Sequence, residues 1–296
     1  MKIRVSKRQT TGESMKQFAK LSILIAFSAL TINVFGQSNN YPFEIKISGK
    51  GIHSIIFIPG FACSGKVWDE TKIFYETKYT CYILTMAGFA EVPPQSQPTF
   101  QNWEKAIAAY IQQNKIDKPI IVGHSLGGGL AMALAADYPD LISKIIVVDA
   151  LPCLSALMNP SYHTKDNNDC GAIVSQLTSS TNEQFYQMQK QGMLRLLADT
   201  SKQELVVNWT IQSDRKTFAE MYCDYSNTDL REKISGITCP ALILLESYFE
   251  NFKPAINEQF KNLKTANLQY ATKGLHFIMY DDKDWYNKQL NNFIGR

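Results

Sequence analysis

The residue in this chain whose surroundings best suit covalent chemistry is Ser125. It stands in Gly123-His124-Ser125-Leu126-Gly127, between the apolar run Ile120-Ile121-Val122 and the alanine-rich run Leu130-Ala131-Met132-Ala133-Leu134-Ala135-Ala136. That order predicts strand, tight turn, helix, the context in which the serine of G-x-S-x-G is lifted clear of a sheet. Gly123 and Gly127 flank it because a Cβ at either position would crowd the strand–helix crossing. The Leu126 amide then falls at a helix N-terminus, where it can donate to an oxyanion. Together these features describe a nucleophile for acyl transfer. A glycine-rich turn with an incidental serine is the plainer alternative.

The elements that must position Ser125 can be read in order. Phe43–Ile47 alternates apolar and polar residues, as a half-buried edge strand does. Ser54–Ile58 is an apolar, β-branched run suited to a central strand buried on both faces, and it ends in Pro59-Gly60-Phe61. Thr80–Thr85 is the next strand. A helix is predicted over Phe100–Asn114, with Trp103, Ile107 and Ile111 at helical spacing as core. After the Ser125 segment, Lys144–Val148 is another strand, with Asp149 at its end. From Leu151 to Gly236 no strong strand occurs, a stretch too long for a loop. Helices are predicted over Asn182–Asp199, with Phe185, Met188, Leu194 and Leu197 as an apolar stripe, and over Ser201–Trp209 and Lys216–Tyr225. We read this stretch as an inserted helical cap whose Met158, Met188, Met193 and Met221 mainly pack, some of them lining an adaptable apolar pocket. Strand pattern resumes at Thr238–Leu245, followed by a helix over Pro254–Leu263, a last strand at Leu268–Ala271, and a final helix over Trp285–Ile294 that Asp281 and Asp282 are expected to cap. Strands alternating with helices imply an α/β fold, a doubly wound, mostly parallel sheet. The divisions are a first core part at 37–150, the cap at 151–236 and a second core part at 237–296.

The net charge of +3 misleads, because residues 1–36 hold six of the 30 basic residues and one of the 27 acidic ones. The remaining 24 basic and 26 acidic residues give no basic surface for nucleic acid. Lys16 and Lys20 precede the apolar stretch Leu21–Phe35, which is short for a bilayer span, and Val34-Phe35-Gly36 offers a cleavage site. We therefore expect 1–36 to be a signal peptide, the mature protein to be exported to the periplasm or medium, and no membrane contact after cleavage. Retention of the segment as an anchor is the alternative. The six cysteines lie beyond it without any C-x-x-C; buried thiols and one or two disulfides both fit, and Cys153 with Cys170 would close a local loop. The dispersed histidines show no metal-ligand spacing, and no G-x-G-x-x-G or Walker pattern occurs, so no metal and no cofactor is expected.

With Pro59-Gly60-Phe61, Gly123-His124-Ser125-Leu126-Gly127-Gly128, the helical insertion and Gly274-Leu275-His276-Phe277, residues 43–296 resemble the α/β-hydrolase fold superfamily, in particular its small capped serine hydrolases. The resemblance places the cap after the sixth strand in that family's count. It implies that Phe61 N–H joins Leu126 N–H in an oxyanion hole and that His276 is the general base. Of the other histidines, His53 precedes a core strand, His163 lies in the cap, and His124 would point away from the serine. The acid departs from the common pattern, since Leu245-Glu246-Ser247-Tyr248-Phe249-Glu250 has no aspartate. Asp149 is the preferred partner of His276, with Glu246 or Glu250 as the alternatives. The implied function is hydrolysis of a small-molecule ester of a small or medium apolar acyl group. A carbon–carbon bond hydrolase or another acyl hydrolase on the same residues, and a non-catalytic binding protein on this fold, are the rivals.

Overall fold

The computed structural model describes residues 41–295, so the expected signal peptide lies outside the described residues. Seven strands form one sheet: β1 (Phe43–Ser48), β2 (His53–Ile58), β3 (Tyr79–Met86), β4 (Ile120–His124), β5 (Lys144–Val148), β6 (Ala241–Leu245) and β7 (Ala266–Tyr270). Their order is β1-β3-β2-β4-β5-β6-β7, with β1 antiparallel to β3 and every other pair parallel. The strand ending at Val148, sixth in the family's count, is the fifth described here.

The central strands are apolar because helices cover both faces. Ile55, Ile56, Phe57 and Ile58 of β2 are all fully buried, and alternate residues feed two cores, Ile56 and Ile58 on one side, Ile55 and Phe57 on the other. Helix α1 (Phe100–Gln113) buries Trp103, Ile107 and Ile111 as their spacing predicts, and Thr99 caps it by accepting from Asn102 N–H. Helix α2 (Leu126–Asp137), which follows β4, is buried all round from Leu126 to Ala135, as a helix apolar on every side must be.

Between β5 and β6 lie four helices: α3 (Gly171–Ser179), α4 (Asn182–Met193), α5 (Thr200–Ile211) and α6 (Arg215–Ser226). Two differ from the sequence reading, α3 and α4. Helix α3 was not expected; its Ser- and Thr-rich sequence has weak propensity, and it is held by a disulfide from Cys170, at its N-terminus, to Cys223 on α6. That pairing replaces the Cys153–Cys170 loop, and Cys63, Cys81, Cys153 and Cys239 are buried thiols. Helix α4 stops at Met193 rather than Asp199, because the chain turns so that Leu196 C=O accepts from Phe277 N–H; Met188 and Leu194 are consequently exposed while Phe185 and Leu197 are buried. Asp214 caps α6, and the Asp224 carboxylate of α6 accepts from Phe100 N–H at 2.7 Å, fastening this helix to α1. After β6 come α7 (Lys253–Gln259), and after β7 the final helix α8 (Lys283–Ile294).

Candidate active site

The parallel strands end along one edge, the edge at which open α/β sheets place their ligands. Register fixes the neighbours there: Ile58 of β2 pairs with Gly123 of β4, and His124 pairs with Val148 of β5. The residues that follow these strands therefore meet.

Ser125 takes φ 53°, ψ −120° between β4 and α2. A non-glycine residue there carries backbone strain of about 1–3 kcal/mol, offset by sheet and helix bonds on either side. Ser125 N–H donates to Val148 C=O at 2.9 Å, and Ser125 C=O accepts from Gly128 and Gly129 N–H at 2.8 and 3.0 Å. The flanking glycines are required by contact rather than by φ. A Cβ on Gly123 would lie 2.0 Å from Gly127 O, and one on Gly127 would lie 2.3 Å from Ile58 O. Asp149 repeats the device one strand over. It has φ 51°, and its N–H continues the ladder to Leu244 C=O at 2.7 Å.

His276 lies in the loop between β7 and α8. Its Nδ1 is 2.6 Å from Asp149 Oδ2, and Asp149 Oδ1 accepts from Glu246 N–H at 2.7 Å. The Asp149 side chain is 1% exposed and that of His276 22%. Burial disfavours the imidazolium, but the hydrogen bond and charge of Asp149, with the charge of Glu246, outweigh it and hold His276 above the usual histidine range. Of the three carboxylates considered, Asp149 is thus the one that meets His276. Glu246 lines the same cavity without bonding the ring, and burial beside Asp149 pushes its carboxyl up to about 7. Glu250 is exposed and pairs with Lys253.

The His276 loop is held by residues that sequence spacing did not single out for this purpose. His124 sends Nε2–H to His276 C=O at 3.0 Å, its ring lies 4.6 Å from that of His276, and burial keeps it well below the usual histidine range and neutral. Asp281 accepts from Leu275 N–H at 2.8 Å in that loop, and from Ala198 and Asp199 N–H at 3.1 and 2.8 Å in the cap. Asp282 accepts from Thr272 N–H and Oγ1–H at 2.9 and 2.7 Å. Neither side chain caps α8, contrary to expectation; both staple the loop instead. A sequence signal for this was slight, two adjacent aspartates a few residues beyond a histidine.

Pro59-Gly60-Phe61 approaches so closely that a Cβ on Gly60 would lie 2.6 Å from His124 Nδ1 and 3.2 Å from Ser125 Cβ. The Phe61 ring is locked among Phe89, Phe218 and Tyr222, with centroids 5.2, 4.5 and 5.9 Å away. Among the described residues, neither Phe61 N–H nor Leu126 N–H donates to a backbone carbonyl. Both amides are thus uncommitted to a main-chain partner, as donors to an oxyanion would need to be.

Ser125, His276 and Glu246 open into a cavity of about 370 Å³ roofed by the cap. Met193, Leu196, Val206, Phe218 and Tyr222 make its cap side largely apolar. Cys63 also lines it, but burial pushes its thiol up to about 12, so it is not an alternative nucleophile at neutral pH. His53 and His163 are exposed and line no part of it. Among the described residues no cluster of three His, Cys, Asp or Glu side chains could hold a metal ion.

A family model described as alpha/beta hydrolase fold matches residues 53–283. The chain is similar to the pimeloyl-[acyl-carrier protein] methyl ester esterase of Vibrio atlanticus, 25% identical over 203 residues that cover 67% of this chain and 76% of that protein. It is also similar to the N-formylmaleamate deformylase of Pseudomonas putida, 20% identical over 255 residues, 84% of this chain and 91% of the relative. Among solved structures, the enol-lactonase from Burkholderia xenovorans LB400 superposes with a TM-score of 0.72 at 14% identity, covering 87% of this chain and 98% of that one.

Proposed function

The chain belongs to the alpha/beta hydrolase fold family and is a hydrolase of the esterase type; from that premise we propose that it is an exported serine hydrolase cleaving a carboxylic ester of a small or medium apolar acyl group. The observation that carries this reading is the convergence at the strand ends. Ser125 and Asp149 are held at φ 53° and 51° on adjacent strands, and His276, bonded to Asp149, opens into the same cavity as Ser125.

In the proposed reaction His276 Nδ1–H donates to Asp149, which leaves the Nε2 lone pair free for the serine proton. Ser125 Oγ attacks the ester carbonyl as its proton passes to Nε2. Leu126 and Phe61 N–H hold the oxyanion. Collapse breaks the bond to the alkoxy group, which leaves as the alcohol with the proton from Nε2. Water then attacks the acyl-enzyme, giving its proton to His276, and the acid is released as Ser125 recovers its hydrogen. Among the described residues Ser125 Oγ makes no hydrogen bond, and contacts of this kind commonly tighten when substrate docks. Turnover of acyl esters of graded length tests the reading. Short to medium chains should react best, and turnover confined to a β-diketone, or absent with every ester, would sink it. A non-catalytic binding protein would draw support from the lack of an aspartate after Leu245, but the position of Asp149 beside His276 weakens that support.

The charge of Glu246 helps hold His276 above its usual range, so the base is lost as pH falls through that raised pKa. Glu246→Gln removes one source of the elevation. The acid limb of its kcat/KM profile should move to lower pH, while the plateau stays within about tenfold of wild type because Asp149 still orients the ring. An unmoved limb would show that Glu246 is not coupled to the base.

Export is supported by the composition of residues 1–36 and by the Cys170–Cys223 pair, since disulfides persist in oxidising compartments. The intact mass of the protein recovered from the periplasm or medium should correspond to loss of residues 1–36. Recovery only in the cytosolic fraction with those residues attached would overturn it.

A further inference from the structure

The cavity has two chemically distinct walls. The core side carries the reacting groups and both carboxylates, Asp149 and Glu246, which face His276. The cap side is apolar apart from a few donors, among them Gln189 on α4 and Arg195 just beyond its end. Three arginines fall within the described residues, and two have acceptors for both terminal nitrogens. Arg215 donates to Ser180 C=O and Asn182 Oδ1, and Arg231 forks onto Asp229. Arg195 alone, among the described residues, has no acceptor for its guanidinium, and the Gln189 amide beside the same cavity has none either. No acidic side chain of the cap lines the cavity to neutralise them.

An exposed guanidinium left free on a largely apolar wall has a definite preference. Its planar fork matches a carboxylate, a second planar donor such as a side-chain amide adds to that match, and apolar walls weaken competition from water. The opposite wall holds the Asp149 carboxylate, and the Glu246 carboxyl beside it adds negative charge as pH rises through about 7, so an anion is favoured in the orientation that keeps it away from Ser125. We propose that the natural ester carries a carboxylate remote from the scissile bond, and that Arg195, assisted by Gln189, receives it. The proposal rests on the serine-esterase reading of the site and names its substrate class.

The test compares each charged ester with a neutral ester of matching length. One series places the carboxylate on the acyl side, as monomethyl esters of dicarboxylic acids. The other places it on the alcohol side, as acetate esters of hydroxyalkanoic acids. Wild type should favour the charged member of one series by about tenfold in kcat/KM, the scale of a charge-assisted contact partly exposed to water. The preference should shrink as salt rises from about 0.05 to about 0.5 M. In Arg195→Ala the ratio should fall to about one, in Arg195→Glu below one, and in Arg195→Lys it should be partly kept. Because the readout is a ratio within each variant, an impaired variant still gives it. No preference in either series, or a preference that survives Arg195→Ala and Arg195→Glu, overturns the proposal. If wild type cleaves no ester at all, the esterase reading has failed. The anion site is then read alone by calorimetry of a dicarboxylic half-ester on Ser125→Ala, with and without Arg195→Ala. Roughly tenfold weaker binding without Arg195 supports the site, and equal binding overturns it.

Discussion

Ser125→Ala should lower kcat for an activated acyl ester by at least about 10⁴-fold and abolish labelling by a fluorophosphonate probe that modifies wild type at Ser125 alone. The size follows from what the side chain does. Without Oγ there is no acyl-enzyme, and only water attack assisted by the Leu126 and Phe61 amides remains. The fold should persist, since alanine keeps the Cβ at φ 53° and the bonds from Val148, Gly128 and Gly129 involve only backbone atoms of this residue. Any loss of activity is therefore chemical. His276→Ala should cost a similar factor, and the double variant little more than either, because nucleophile and base act as a unit. Activity of Ser125→Ala above a tenth of wild type, or a probe adduct mapping to another residue, would remove Ser125 from the mechanism.

What could be read in advance depended on whether the cause was local. The β2 run Ile55–Ile58 and the all-apolar helix α2 announce burial on both faces, and Gly123 and Gly127 announce a crossing with no room for Cβ. Those signals lie within a few residues of what they determine. The choice among Asp149, Glu246 and Glu250 does not. It depends on the register of β5 against β6 and on the Leu244 carbonyl that draws Asp149 N–H into the ladder. Helix α4 ends early for a similar reason, a bond from Phe277 N–H some eighty residues away in the chain. Asp281 looks like a helix cap when only its neighbours are considered, yet it accepts from one amide in the preceding loop and from two amides of the cap some eighty residues away. The partner of Cys170 is 53 residues off, on a helix whose packing no spacing rule encodes. A single arginine within Met193-Leu194-Arg195-Leu196-Leu197 reads from spacing alone as the solvated side of an amphipathic turn; only the engagement of Arg215 and Arg231 makes its freedom informative.

Asp149→Asn should lower kcat by about 10⁴-fold while leaving KM within a few-fold. The change is nearly isosteric, and asparagine tolerates the φ of 51° held here. The decisive feature is Glu246 N–H, which donates to Asp149 Oδ1 at 2.7 Å. An amide at this position keeps that bond only by turning its oxygen toward Glu246, and its NH₂ then faces His276 Nδ1. Since the NH₂ can only donate, Nδ1 must accept, and the imidazole proton moves to Nε2. The base would then present a hydrogen, not a lone pair, to Ser125. The opposite amide rotamer would restore the tautomer but would set two donors, NH₂ and Glu246 N–H, against each other. Asp149→Ala, which imposes no tautomer, should consequently lose no more than Asp149→Asn. A pH profile separates this from simple charge loss. The imidazole freed from its carboxylate should titrate lower, so the acid limb moves down in pH even as the plateau collapses. If Asp149→Asn retained activity within tenfold of wild type while Glu246→Gln lost several orders of magnitude, the orienting role would pass to Glu246. The 2.6 Å contact between His276 Nδ1 and Asp149 would then describe a resting arrangement that substrate rearranges.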